Sequence, residues 1–288
     1  MVTVGKPQLG FAITVGAGVT NIFLDFLFVG IFGWGVTGAA VVTIISQCFG
    51  GLAPLIYFAF VGDQDLKFRI VRLESGPILH ACGNGSSELA SSVSSSVVSI
   101  VYNAQLLKYA GENGVAAYGV IMYVAFIFVA MFMGYSIGAA PIISYHFGAC
   151  NHSELQNMRK KSMNIMAVSG VSMMLIAQLL AGTLAKIYVG YDQALLTLTV
   201  RAFHIFTLAF ILSGINIFTS SFFTALNNGP ISALIAFMRS LVFELLSVLI
   251  LPLIFGIDGI WSAISVAEIM AFIMSMLFML KYKKKYNY

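Results

Sequence analysis

The residues best suited to chemistry in this chain are ionisable side chains set inside apolar runs. Asp25, Glu88, Glu244, Glu268 and Arg239 each lie within such a run. A charge at the centre of a membrane-spanning helix costs at least roughly 2.5–3.5 kcal/mol on insertion scales, so each is a functional suspect or must have a partner. Asn21 precedes Asp25 by one helical turn on the same face. Thr43 lies about as far beyond the intervening Gly33-Trp34-Gly35 turn as Asp25 lies before it. Carboxylate, amide and hydroxyl oxygens are the ligands a hard cation such as Na⁺ prefers. A carboxyl in an apolar setting can instead carry a proton. The alternative is a hydrogen-bonded packing cluster between two helices.

Glu88 is followed by Ser91, Ser92, Ser95, Ser96 and Ser99. Such a stripe lets helices approach closely and admits water. Glu88 then reads as a carboxylate for a cation or cationic substrate, or as an interfacial acid satisfied by water or a linker base. Asn103, Gln105, Tyr102, Tyr123 and Tyr135, with the flexible Met122, Met131 and Met133, are candidates to line a cavity, set against plain packing. Arg239 and Glu244 are five apart, a poor same-face spacing, so Arg239, Glu244 and Glu268 are expected to find structural partners on other helices. His80, His146 and His204 are isolated, and Cys48, Cys82 and Cys150 have no metal-ligand spacing, so no metal is expected. No nucleophile elbow, paired His/Glu zinc motif or phosphate loop is present, so an enzyme is not expected.

These residues need a membrane around them. The 288 residues are 59% hydrophobic and 9% charged, with mean hydropathy +0.94. A soluble domain carries roughly 25% charged residues. The apolar runs are continuous rather than alternating, which selects helices over a β-barrel. The expected fold is therefore all-α, integral and polytopic, with about eight spans: 9–32, 36–60, 78–109, 115–147, 163–188, 194–223, 231–255 and 260–282. If every run spans once, Lys6, Lys67, Arg69, Arg72, Arg159, Lys160, Lys161, Lys281, Lys283, Lys284 and Lys285 share one side. The opposite loops hold only Lys108 and Lys186. The positive-inside rule then puts both termini in the cytoplasm of a multi-pass cell-membrane protein. The net charge of +4 is scattered among loops, which argues against nucleic acid as a partner. Leu66, Ile70 and Leu73 recur at helical spacing around Arg69 and Arg72, so 62–76 reads as an amphipathic linker on the cytoplasmic surface. It separates two helices (1–61) from six (77–288). The hairpins Ile31-Phe32-Gly33 and Ile254-Phe255-Gly256 form a weak repeat that implies a six-helix unit.

Asn21-Ile22-Phe23-Leu24-Asp25, Gly35, Gly38-Ala39-Ala40 and Thr43 resemble the fifth and sixth helices of the multidrug and toxic compound extrusion (MATE) family. Glu88 through Gly114-Val115-Ala116-Ala117-Tyr118 resembles its seventh helix and the start of the eighth. Gly134-Tyr135-Ser136-Ile137-Gly138-Ala139-Ala140-Pro141 and Gly148 resemble the end of the eighth, and 256–263 with Glu268 the last hairpin. The resemblance implies helices five to twelve of a two-lobe antiporter: a partial N-lobe hairpin and a complete six-helix C-lobe. Helices one to four are missing from it, to be supplied by a longer chain or a second polypeptide. It implies cation-coupled (Na⁺ or H⁺) export of small organic cations by alternating access, with no cofactor beyond the coupling ion. Asn21, Asp25 and Thr43 would match an N-lobe cation site and Glu88 part of a C-lobe site. The second C-lobe acid, expected near Ser213-Gly214, is absent. Ser92, Ser96, Asn103, Met122 and Tyr123 would border the substrate cavity. Gly134 and Gly138 are expected to form a close-packing face, and Pro141 to kink the helix as a hinge with Gly138. The competing readings are a related flippase for lipid-linked sugars or phospholipids, for which only Arg239 and Arg201 are available as headgroup ligands, and an inactive truncated fragment.

Overall fold

The computed structural model describes residues 6–61 and 75–288; the linker expected at 62–76 falls almost wholly outside them. Two compact units divide between Glu74 and Ser75.

In the first unit α1 (Pro7–Asp25) opens with proline at its first position, where the missing N–H has no helical partner to lose. It continues as a π-helical turn, Phe26–Ile31, directly after Asp25. A tight turn at Gly33 and Gly35, both with positive φ, leads into α2 (Gly35–Ile56) and a second π turn, Tyr57–Val61. The hairpin is held by small contacts. A Cβ on Gly16 would meet the Phe49 ring at 3.3 Å, and one on Gly50 would meet Ala17 at 3.4 Å. Lys6 Nζ donates to the Tyr57 hydroxyl at 2.6 Å. No residue of α1 is buried, and only Gly38, Val42 and Ser46 of α2 are. Two helices with faces this apolar and exposed belong in lipid or against further helices.

The second unit begins with α3 (Ser75–Gly148), continuous in hydrogen bonding but not in direction. Seventy-four residues of straight helix would run about 110 Å, against a hydrocarbon core of roughly 30 Å. Gly111, at φ 62° and ψ −154°, breaks it. That conformation is open to glycine and costly to any other residue. The chain reverses there: a Cβ on Gly114 would sit 3.1 Å from the Leu106 carbonyl, and the rings of Tyr102 and Tyr118 stack at 5.0 Å. Among the described residues this gives eight apolar limbs, at the expected places.

After the left-handed Cys150, α4 (His152–Val189) is capped by Asn151, whose Oδ1 accepts the Glu154 N–H at 3.2 Å. Asp192 caps α5 (Gln193–Phe206) in the same way, accepting from Ala194 N at 2.8 Å. A 3₁₀ turn, Thr207–Ala209, joins α5 to α6 (Phe210–Ala225). Then come α7 (Gly229–Phe237), a π turn at Met238–Phe243, α8 (Glu244–Phe255) and α9 (Ile257–Tyr286). α3 packs on α6 and α7, α4 on α6 and α5, and α8 on α9.

Two apolar cores result, one around Tyr102, Phe203, Phe206 and Trp261, the other around Phe132, Phe218, Phe222 and Phe223. The C-terminus closes the second: Tyr288 is buried against Phe222, its hydroxyl donating to Met279 O at 3.0 Å. Burial holds the Tyr288 phenol well above its usual range, opposed by the charge of Arg159 above its ring.

The close packing expected of Gly134 and Gly138 is not made among the described residues: both are exposed, and a Cβ at either meets nothing within 4 Å. Gly170 and Gly214 do that work instead. A Cβ at Gly170 would lie 2.7 Å from Phe210 O, and one at Gly214 2.9 Å from the Phe132 ring. Spacing alone marks two small residues on one face but not whether a helix lies opposite.

Candidate functional site

The α1–α2 hairpin places the first candidate group. Asn21 Nδ2 donates to Ser46 Oγ at 3.1 Å across the two helices. Ser46 in turn donates to Val42 O at 2.9 Å. The turn at Gly33 and Trp34 lies midway between residues 21 and 46, so the same register sets Asp25 level with residues 42–43. Thr43 is on an exposed face there, and its hydroxyl donates to Ala39 O of its own helix at 2.9 Å. Ser46 rather than Thr43 therefore meets Asn21. The carboxylate of Asp25 is half-buried, with no hydrogen bond or ion pair among the described residues, at the junction of α1 and a π turn. π turns recur at functional positions because they re-aim side chains within a continuous helix.

In the second unit Glu88 is exposed on the first limb of α3 and also unpaired among the described residues. Ser92 and Ser96 follow at one and two turns on the same stripe, both exposed, with Ser96 Oγ bonding back to Ser92 O at 3.3 Å. Asn103 Nδ2 bonds back to Ser99 O at 2.8 Å. On the return limb Met122 and Tyr123 are exposed, and the Tyr123 ring stacks on Tyr188 at 6.4 Å. Asn103, Met122 and Tyr123 are not joined to Glu88 by any described contact. Serines that bond their own helix leave hydroxyl lone pairs free to accept from a ligand. Pro141 lies inside α3, which keeps helical dihedrals through it to Gly148. A depression of about 650 Å³ opens elsewhere, lined by Gln193, Thr197, Arg201 and His204.

The structure joins three residues that the sequence left separate. Arg239, in the π turn before α8, donates from Nη2 at 2.7 Å and Nε at 3.0 Å to Glu268 Oε1 on α9. The other carboxylate oxygen accepts from Asn216 Nδ2 on α6 at 2.6 Å, and the Glu268 backbone carbonyl accepts from the same amide at 2.9 Å. Glu268 is 3% exposed. Nothing in the sequence around Asn216, two residues beyond Ser213-Gly214, singles it out as a partner for a buried acid. Arg201 pairs with Asp258, and His204 meets Gln178, tying α5 to α9 and α4. Glu244 has no hydrogen bond among the described residues.

Eight apolar limbs, with carboxylates that have no partner among the described residues, define a polytopic all-α membrane protein. The chain belongs to the MatE family, whose model matches residues 89–250. It is 24% identical over 281 residues to the multidrug export protein MepA of Staphylococcus saprophyticus, covering 96% of this chain and 60% of that protein. It is 22% identical over 276 residues to MepA of Staphylococcus aureus strain MRSA252, again covering 60% of that protein. Among solved structures it superposes on an outward-facing multidrug resistance MATE transporter with TM-score 0.86 at 20% identity, covering 97% of this chain and 62% of that one. A MOP superfamily transporter from Pyrococcus furiosus gives TM-score 0.85 at 21% identity, with 97% and 63% covered. The fold is therefore shared, and the chain spans about 60% of the length of the MepA relatives it matches.

Proposed function

We propose that this chain is the larger part of a cation-coupled exporter of small organic cations. The hairpin of α1 and α2 would be the end of one lobe and the 75–288 unit the other. The observation that carries the reading is alignment over 96% of the chain to a protein described as a multidrug exporter. Asp25 and Glu88, carboxylates inside apolar helices without partners among the described residues, are the groups for coupling to Na⁺ or H⁺. Ser92, Ser96, Asn103, Met122 and Tyr123 border the path of the drug, and Pro141 with Gly138 forms the bend used in alternating access. The basic residues at the start of α4 and the end of α9 lie at one end of the unit, where Gln156 donates to Asn287 O and Arg159 sits over Tyr288. That supports a cytoplasmic location for this end in the cell membrane.

A lipid-linked headgroup has less to bind. Arg239 is engaged by Glu268 and Arg201 by Asp258, so neither arginine inside the spans is free for a pyrophosphate.

The test is ethidium efflux from a drug-hypersensitive host expressing this chain, with Asp25→Asn and Glu88→Gln beside it. Loss of gradient-dependent efflux at unchanged membrane abundance is expected for both. Efflux indistinguishable from wild type in Asp25→Asn removes that residue from the mechanism. No efflux by the unaltered chain refutes an activity residing in these helices alone.

A further inference from the structure

The end of α9 carries charge that the fold does not use. Lys281, Lys283, Lys284 and Lys285 crowd its last turns, all exposed. The left-handed Asn287 ends the helix and turns Tyr288 back, so that its hydroxyl donates to Met279 O at 3.0 Å. Gln156 donates to Asn287 O at 3.2 Å and the Arg159 guanidinium lies 5.5 Å over the Tyr288 ring, which brings the start of α4 here, with exposed Lys160 and Lys161. None of these cations is ion-paired or hydrogen-bonded among the described residues. Lys281 and Lys285 lie over the Tyr282 ring at 5.8 and 5.7 Å, contacts to a ring face that leave each ammonium with donors for an anion. Glu154 is the one acid of residues 152–163 and 279–288, and it accepts from Asn157 at 2.9 Å. The helix dipole places about half an elementary negative charge at this end, less than one lysine balances.

An apolar row on α9 leads directly to these lysines. Ile269, Ile273, Leu277 and Leu280 recur at three- and four-residue spacing on one exposed face, and exposure rises from 49% at Ile269 to 70% at Leu280. The row is about 16 Å long, the depth of one leaflet of a hydrocarbon core of roughly 30 Å. Lys284 continues it one turn beyond Leu280, and Lys281 and Lys285 form the row beside it. All four apolar residues are large and aliphatic, whereas helix contacts in membranes favour small residues that let backbones approach. A helix seated here would also cover the Lys284 ammonium. Acyl chains suit the row, and the headgroups of the same lipids then stand level with the lysines, where Tyr282 and Tyr286 lie as interfacial aromatics. Clustered cations just outside a span favour acidic over zwitterionic lipid by about fivefold per charge.

We infer that this end of the 75–288 unit binds an acidic glycerophospholipid of the surrounding leaflet, with Lys281, Lys284 and Lys285 holding the phosphodiester and the row from Ile269 to Leu280 taking an acyl chain. The inference needs only that the chain span a membrane, and it stands whether or not these helices export drugs.

The chain has two tryptophans. Trp34→Phe removes the exposed one, and the buried Trp261 gives a constant background. Leu280→Trp then places a reporter on the exposed row beside the lysines. The purified full chain with both changes is reconstituted in phosphatidylcholine vesicles containing either brominated phosphatidylglycerol or, in parallel, brominated phosphatidylcholine. Quenching in about 0.1 M NaCl should show phosphatidylglycerol associating at least about threefold more strongly, and the preference should approach equality in about 1 M NaCl, where charges are screened within roughly 3 Å. Lys281→Gln/Lys284→Gln/Lys285→Gln, all exposed positions, should quench equally with both lipids. A reporter at the other end of the hairpin, Leu253→Trp on α8, should show no preference. Equal quenching at Leu280→Trp with the lysines intact, or a preference that survives the triple change, overturns the inference. So does an absence of quenching by either lipid, which would mean that protein covers the row. Loss of the preference when phosphate replaces chloride at equal ionic strength would assign the lysines to the free anion instead.

Discussion

Removing the guanidinium of Arg239 is the perturbation whose size the structure fixes best. It deletes two charge-assisted hydrogen bonds to one carboxylate oxygen, at 2.7 and 3.0 Å. It leaves Glu268, 3% exposed, with the Asn216 amide as its one hydrogen-bond partner among the described residues. Breaking one side of a buried pair costs about 3–5 kcal/mol, chiefly for the charge left behind. Arg239→Met should therefore lower the unfolding temperature of the purified protein by on the order of 10 °C. Glu268→Gln leaves Arg239 unpaired and should act similarly, although Gln keeps an acceptor for Asn216. The double variant Arg239→Met/Glu268→Gln carries no buried charge at this place and should recover to within about 1–2 kcal/mol of wild type, since neutral replacements of buried pairs are often tolerated. A double-mutant cycle in a mixed-micelle unfolding assay reads this as a coupling of at least about 2 kcal/mol. A coupling below about 0.5 kcal/mol, with the double variant as unstable as the summed singles, would refute the pairing.

Gly170→Ala puts a methyl group within 3 Å of two backbone carbonyls, Phe210 O and Ile211 O, which cannot rotate away. It should cost about 1–3 kcal/mol, whereas Gly134→Ala, with nothing within 4 Å, should stay within about 0.5 kcal/mol or gain slightly; melting temperatures compare them directly. Gly111→Ala forces a side chain into φ 62°, ψ −154° and should lose about 1–3 kcal/mol, visible as reduced yield of folded protein by fluorescence-detected gel filtration. Tyr288→Ala empties a buried site between Phe222 and Arg159 and should cost about 3 kcal/mol, checked by thermal unfolding. Pro141→Ala should slow ethidium efflux more than it lowers membrane abundance, and unchanged rates would remove Pro141 as a hinge.

The membrane class and the spans were legible because a hydrocarbon layer dictates the length and polarity of a helix locally. Each apolar run announces itself without reference to its neighbours. Even the reversal inside α3 was readable, since Gly111 and Gly114 interrupt the run where a second span must begin. What crosses between helices was less legible. Counting outward from the Gly33–Gly35 turn gave the level of Asp25 correctly but not which hydroxyl on α2 faces α1. One residue of helix is about 100° of rotation, which separates exposed Thr43 from buried Val42. The sequence marked Arg239 and Glu268 as needing partners. Twenty-nine residues separate them, and no local periodicity reports a contact at that distance.

The distribution of partners then sorts the acids. In a membrane a structural carboxylate must be satisfied in the fold, because no water stands ready to satisfy it. Glu268 meets that condition, with an arginine, an asparagine and almost no exposed surface. Asp25, Glu88 and Glu244 do not, since none is hydrogen-bonded or ion-paired among the described residues. Asp25 directly precedes a π turn and Glu244 directly follows one, at places where the helical ladder is already irregular. An acid kept in apolar surroundings without a fixed partner makes sense if its partner comes and goes. By this reasoning hydrogen bonds separate the acid that holds the fold from those left open to a transient partner, a distinction that apolar patterning alone does not make.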